Sequence, residues 1–224
     1  IVAVFGVAAL YFFVRVEQVA SEPMLPLKWF RTRNVAFPVM SQAMTNFAYM
    51  GGFLLVPQLL ENGLGYSTSH IGWLIIARPL VFSLVAPLSG RIAMRIGERN
   101  AGVIGACAVL ASMLTLSQVT VGSSDLMIAF GLSLSGMGLG IASPALTALL
   151  VNSVENKDLG VASATQQLLN QMGAVLGAAV MVGVHEATLG SGVIRSYSFA
   201  LLTGALSSGL GIFAASAVRS SRRR

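Results

Sequence analysis

The sequence predicts an all-α polytopic membrane protein, a bundle of six membrane-spanning helices preceded by the end of another. Three observations carry that expectation. Of the 224 residues, 55% are hydrophobic and only 10% charged, with a mean hydropathy of +0.78, outside the balance of a soluble domain. Six apolar runs are each long enough to cross a bilayer core, which takes roughly 20 helical residues. Lysine and arginine fall almost entirely in alternate connections, as in a chain that threads back and forth with one positive side.

The elements follow in order. IVAVFGVAALYFFV supplies 14 apolar residues before Arg15, too few to span alone, and it lacks the basic lead and small-residue cleavage site of a signal peptide. Residues 1–14 are therefore expected to be the tail of a truncated transmembrane helix. A cytoplasmic linker is expected over 15–34; within it PLKWFRTRN reads either as a short interfacial helix against anionic lipid or as a plain connection. Spans are expected over 35–60, 69–93, 101–121, 126–152, 160–185 and 195–218, so that 35–218 forms the bundle and 219–224 a basic tail. The connections ENGLGYSTS, GSSD, NSVENKD and HEATLGSG carry the turn formers and charges that the spans lack.

Orientation follows from charge. Arg15, Lys28, Arg31, Arg33, Arg91, Arg95, Arg99, Lys157, Arg219 and Arg222 to Arg224 share one side, twelve of the fourteen basic residues. Arg195 lies on the other side and Arg78 within a span. The crowded side, with the tail, is expected to be cytoplasmic. The net charge of +6 and pI near 10.3 thus mark topology; a nucleic-acid binder would gather its cations on a folded patch, and no nucleic-acid partner is expected. Cys107 stands alone in an apolar run, which excludes a disulfide framework. The sequence has no metal-spaced Cys/His set, phosphate-cradling loop or nucleophile–base pairing, so neither a metal, a cofactor nor enzymatic chemistry is expected.

SGRIAMRIGERN places four charges between the second and third spans. Gly90 is expected to let its helix end approach a neighbour, and Gly97 to take the positive φ of a tight reversal. Arg91 and Arg95, one turn apart, share a face and reach toward lipid phosphate or a neighbouring helix end. In the first complete span Gln42, Asn46 and Tyr49 lie on one helix face, a polar stripe that serves either a pathway or interhelical hydrogen bonding. The fifth carries Gln166, Gln167, Asn170 and Gln171, with Gly173 and Gly177 as a G-x-x-x-G packing surface. Gly136, Gly140 and Pro144 permit close packing and a kink.

Arg78 is the most unusual residue. It lies about 15 Å deep among apolar stripe neighbours, and Pro79 beside it frees the carbonyl of Ile75. It can satisfy that carbonyl, snorkel outward, or pair with a carboxylate; none of the eight acidic residues is predicted so deep. Tyr66 and Trp73 suit an aromatic belt at the outer boundary, where His70 and His185 either sense protons or are simply solvated.

PLSGRIAMRIGER resembles the loop signature of the major facilitator superfamily, G-x-x-x-D-R-x-G-R-R, through Gly90, Arg95, Gly97 and Arg99. Met94 stands at the family's aspartate and Glu98 where a basic residue is common. VEQVASEPMLPLKWFRTRN is similar to the linker entering the last six helices of the 14-helix drug:proton antiporters of the EmrB/QacA type. Residues 136–180, GMGLGIASPALTALLVNSVENKDLGVASATQQLLNQMGAVLGAAV, are similar to their penultimate helix pair. Together the likenesses reach from about residue 15 to 185.

The resemblance implies the C-terminal half of a secondary transporter, with an inverted three-plus-three repeat dividing it near residue 123. It implies proton-coupled multidrug efflux by alternating access in a bacterial cytoplasmic membrane. Its partners would be the absent N-terminal half, membrane lipid, a small-molecule substrate and protons. In the family the first complete helix lines the pathway, which makes Gln42, Asn46 and Tyr49 candidate substrate contacts, joined by Arg78, Gln166 and Asn170. Gly90, Arg91, Arg95, Gly97 and Arg99 form the candidate gating loop; with Met94 in place of aspartate, an anchor and a turn remain. A metabolite, sugar or siderophore transporter and a non-transporting membrane scaffold are the alternatives left open.

Overall fold

The computed structural model describes Arg15 and residues 32–218. The partial helix expected over 1–14, the linker from 16 to 31, most of PLKWFRTRN and the tail at 219–224 lie outside the described residues. Among the described residues all regular structure is helical. α1 runs Arg33–Gln58 and passes into a π turn over Leu59–Gly63. The second span is made of α2, Thr68–Ile75, and α3, Ala77–Ile96. Then come α4, Glu98–Ser117, α5, Asp125–Val151, α6, Leu159–Ala187, and α7, Val193–Ala217.

The break at Ile76 has a covalent cause. Pro79 has no N–H to give the Ile75 carbonyl, while on either side the Ile76 N–H still reaches Gly72 O at 3.4 Å and the Leu80 N–H reaches Ile76 O at 3.1 Å. Ser67 and Ser124 cap α2 and α5 by accepting from the N–H groups of His70 and Met127. The third span begins at Glu98 rather than 101 because the reversal after α3 is one residue, Gly97, at φ +88°.

Among the described residues five spans are long and apolar enough to cross a membrane: α2–α3, α4, α5, α6 and α7. Composition sets α1 apart from the six spans expected. At 26 residues it is long enough, but Ser41, Gln42, Thr45, Asn46 and Tyr49 dilute its apolar character. Ser41, Gln42 and Thr45 are buried against other helices, so lipid does not meet them.

The helices pair in a pattern that repeats when the first three spans are exchanged for the last three. α1 packs on α6 as α5 packs on α3, and α1 on α7 as α5 on α4. Two hydroxyls make the exchange concrete: Ser112 of α4 donates to Gly131 O of α5 at 2.6 Å, and Ser207 of α7 donates to Met44 O of α1 at 3.0 Å. Setting Met44 on Gly131 also sets Gly51 on Gly138 and Pro57 on Pro144. The triplets are inverted, because α1 starts at the end of the bundle where α5 finishes. That end gathers Arg33, Arg91, Arg95, Arg99 and Lys157. It is tied by Arg33 Nη2 donating to Ala217 O, Arg99 Nη2 to Ser216 O and Asn152 Nδ2 to Glu98 Oε1.

Burial is uneven. Of the most apolar stretch of each span, 50% is buried in α4, α5 and α7, against 17% in α2–α3 and 22% in α6. The middle span of each triplet is therefore the least covered.

Candidate functional site

The polar stripe of α1 is divided among its neighbours. Gln42 Nε2 donates to Ser143 Oγ of α5 at 2.9 Å, and Gln42 Oε1 accepts from Gln166 Nε2 of α6, which also reaches Thr147 Oγ1 at 3.0 Å. With both glutamines buried, this seam joins α1, α5 and α6 through amides and hydroxyls that satisfy one another. One turn on, Asn46 Nδ2 donates to the backbone oxygen of Asn170 at 2.9 Å. Asn170 Oδ1 is buried with no partner among the described residues, whereas Gln167 and Gln171 face outward. Close approach of α6 to α1 depends on its glycines: a Cβ on Gly173 would stand 2.3 Å from Ala43 O, and one on Gly177 2.1 Å from Phe47 O. Next to the seam, Arg33, Ala36, Phe37, Met40, Ala43, Met44 and Leu169 line a groove of about 520 Å³.

Tyr49, the third member of the stripe, turns to Arg78 instead. Arg78 is 1% exposed, so it neither snorkels nor meets Ile75 O. Its Nη1 donates to Tyr49 O at 3.5 Å, and its guanidinium lies 5.0 Å from the Tyr49 ring centre and 5.8 Å from that of Phe53. Gly136 of α5 admits its backbone, since a Cβ there would be 2.2 Å from Arg78 O. Nε and Nη2 have no acceptor among the described residues.

At the arginine-rich end the loop expected around 90–99 is mostly helix. Gly90, Arg91 and Arg95 belong to α3, and only Gly97 leaves helical geometry. Gly90 is exposed with nothing within 4 Å of where a Cβ would stand, which corrects the expected close approach. The reason is that among the described residues no helix packs against this face of α3. Arg91 and Arg95 are exposed along it, while Arg99 turns inward to Ser216 O.

The opposite end holds two clusters that sequence reading missed. Tyr66 and His70 stack at 4.4 Å and converge on Asp125, Tyr66 donating to Oδ1 at 3.0 Å and His70 Nε2 lying 2.7 Å from Oδ2. That bond to Asp125 is the main cause holding the Tyr66 hydroxyl above the ordinary tyrosine range. The four-residue spacing of Tyr66 and His70 was a usable signal; Asp125 lies too far along the chain to be paired with them by inspection. His185, expected at the solvated boundary, is instead buried. It stacks on Tyr197 at 3.9 Å with Nδ1 2.9 Å from Ser196 Oγ.

A sequence model of the Major Facilitator Superfamily matches residues 1–178 and 39–223. The chain belongs to the Major Facilitator Superfamily. Over 177 residues it is 31% identical to multidrug resistance protein Stp of Mycobacterium tuberculosis, covering 79% of this chain and 33% of that protein. It is 24% identical to multidrug transporter protein MdtP of Bacillus subtilis, over 80% of this chain and 33% of that one. It is 28% identical to the tetracenomycin C resistance and export protein of Streptomyces glaucescens, over 74% and 31%. The chain spans about a third of the length of these curated relatives.

As a member of this superfamily of transporters, the chain is a multi-pass membrane protein, and small molecules are the superfamily's cargo. At the turn between α3 and α4 Gly97 supplies the reversal and Arg99 ties α4 to α7. Met94 is exposed there, and Glu98 accepts from Asn152.

Proposed function

We propose that this chain is the C-terminal six-helix half of a proton-coupled multidrug exporter working by alternating access. The observation that carries the reading is the uneven burial: the middle spans of the two triplets leave most of their apolar stretches uncovered. A second bundle packed on those helices gives two bodies that rock about a shared pathway, and the relatives' greater length leaves room for one. Their printed roles, multidrug resistance, multidrug transport and export, favour drug-like cargo. The groove beside Met40 and Met44 is of small-molecule size, with flexible thioethers that adapt to varied apolar shapes.

Within this reading the candidate residues divide by role. Gln42, Asn46 and Gln166 brace the bundle, since their amide donors are occupied by neighbouring helices. Arg78, Tyr49 and the free Oδ1 of Asn170 are the cargo contacts. The turn at Gly90, Arg91, Arg95, Gly97 and Arg99 anchors the cytoplasmic ends of α3 and α4. The arginine-rich end faces the cytoplasm, in a bacterial inner membrane. Among the described residues no carboxylate lies in the polar seam, so the proton carriers belong to the other bundle.

Everted vesicles containing the intact transporter should accumulate ethidium only while a proton gradient stands, and a protonophore should stop uptake at once. Uptake that persists after the protonophore rules out proton coupling.

A further inference from the structure

Arg78 holds an unfinished binding geometry. Its guanidinium carbon lies over the rings of Tyr49 and Phe53, and Nη1 donates to Tyr49 O. What remains is the edge carrying Nε and Nη2, both buried and both without an acceptor among the described residues. These two nitrogens point their hydrogens the same way, and together they form the fork that receives the two oxygens of a carboxylate side-on. Leaving buried donors of a charged group unpaired is strongly unfavourable, so an arrangement that keeps them so calls for an acceptor from outside the described residues.

We infer that the Nε–Nη2 edge of Arg78 is a binding site for a carboxylate. This rests on the proposed transporter reading only in its two sources, a cargo molecule or a side chain from the rest of the protein. The charge balance favours a carboxylate over phosphate, because a single guanidinium in an apolar surround matches one negative charge. Tyr49 on α1 is the titratable group facing it. Gly136 of α5 packs on the Arg78 backbone, and Met113 of α4 shares with Nη2 the space left by Gly52; neither supplies a competing charge. Phe53, 47% exposed, is the surface-facing neighbour of the guanidinium.

The test uses the intact transporter in detergent, with thermal unfolding read against sodium benzoate, benzamide and matched sodium chloride. Cargo as the source predicts that benzoate raises the midpoint at millimolar concentration and benzamide does not. Arg78→Gln should then weaken benzoate at least ten-fold, and Arg78→Lys, which keeps the charge but loses the fork, should fall between. A protein carboxylate as the source predicts no benzoate effect. In that case Arg78→Gln leaves a buried acid unpaired, its folded pKa rises, and the variant's deficit against wild type grows as pH goes from 5 to 8. If benzoate has no effect and the deficit of Arg78→Gln, or of Arg78→Lys where the former does not fold, is the same at both pH values, the inference is overturned. Absence of proton-driven ethidium uptake by the wild-type transporter alongside either positive result would sink the exporter reading and leave this one standing.

Discussion

Gly177→Ala should separate α6 from α1, by an amount that follows from the backbone contact. The added Cβ would stand 2.1 Å from Phe47 O and 2.6 Å from its carbonyl carbon, where ordinary contact begins near 3.4 Å. Both obstructing atoms are backbone, so relief requires α6 to withdraw by about 1 Å, a gap that forfeits a quarter to a half of the dispersion energy along the seam. The same movement stretches the bond from Asn46 Nδ2 to Asn170 O, now 2.9 Å, beyond hydrogen-bonding range. Overpacking of about 1–3 kcal/mol and a membrane hydrogen bond of about 0.6 kcal/mol give a loss of about 2–4 kcal/mol. The control lies on the same helix: Gly183 has nothing within 4 Å of its Cβ position, so Gly183→Ala should be neutral or gain up to about 1 kcal/mol of helix propensity. Reversible unfolding in mixed micelles measures both. If Gly177→Ala unfolds at the same denaturant fraction as Gly183→Ala, α1 and α6 are not in the described contact and the reasoning fails.

The glutamine bridge and the outer cluster are open to equally direct tests. Gln42→Leu and Gln166→Leu should each cost about 1–2 kcal/mol by stranding a buried partner, and their double-mutant cycle should show a coupling of about 1 kcal/mol; zero coupling would mean the two amides do not meet. Since the folded pKa of Tyr66 lies above its unfolded value, the stabilisation from this hydroxyl is fully present below the ordinary tyrosine pKa and disappears as pH rises through the raised one. Difference titration at 295 nm against Tyr66→Phe should therefore find a late-ionising hydroxyl that Asp125→Asn moves to lower pH.

What was legible in the sequence is what the bilayer enforces on every residue of a span. Apolar length, turn formers between runs and one-sided arginines each follow from a cost paid locally, so they could be read without knowing any neighbour. Gly97 belongs to the same class, because its positive φ is a property of one residue. Pairing is different. Gln42, Asn46 and Tyr49 share a face by spacing, yet the first faces α5 and α6, the second α6, and the third the guanidinium from α3. A stripe fixes direction around a helix; which neighbour occupies that direction changes with height along it. Gly90 and Gly136 show the same limit, for both are helical glycines, but only Gly136 has a backbone against it.

That distinction bears on where function resides. A buried amide met by another amide has reached its lowest arrangement and resists change, which suits a brace. Arg78 has instead been taken out of water with its strongest fork unfilled, and only a second arrangement, in which an acceptor arrives, completes it. A protein that must alternate between two conformations needs polar groups of both kinds: satisfied ones to keep each triplet rigid, and an unsatisfied one whose partner exists in only part of the cycle. The amide seam at Gln42 and Asn46, and Tyr49 two turns after Gln42 on the same helix where the α3 arginine docks, supply them side by side.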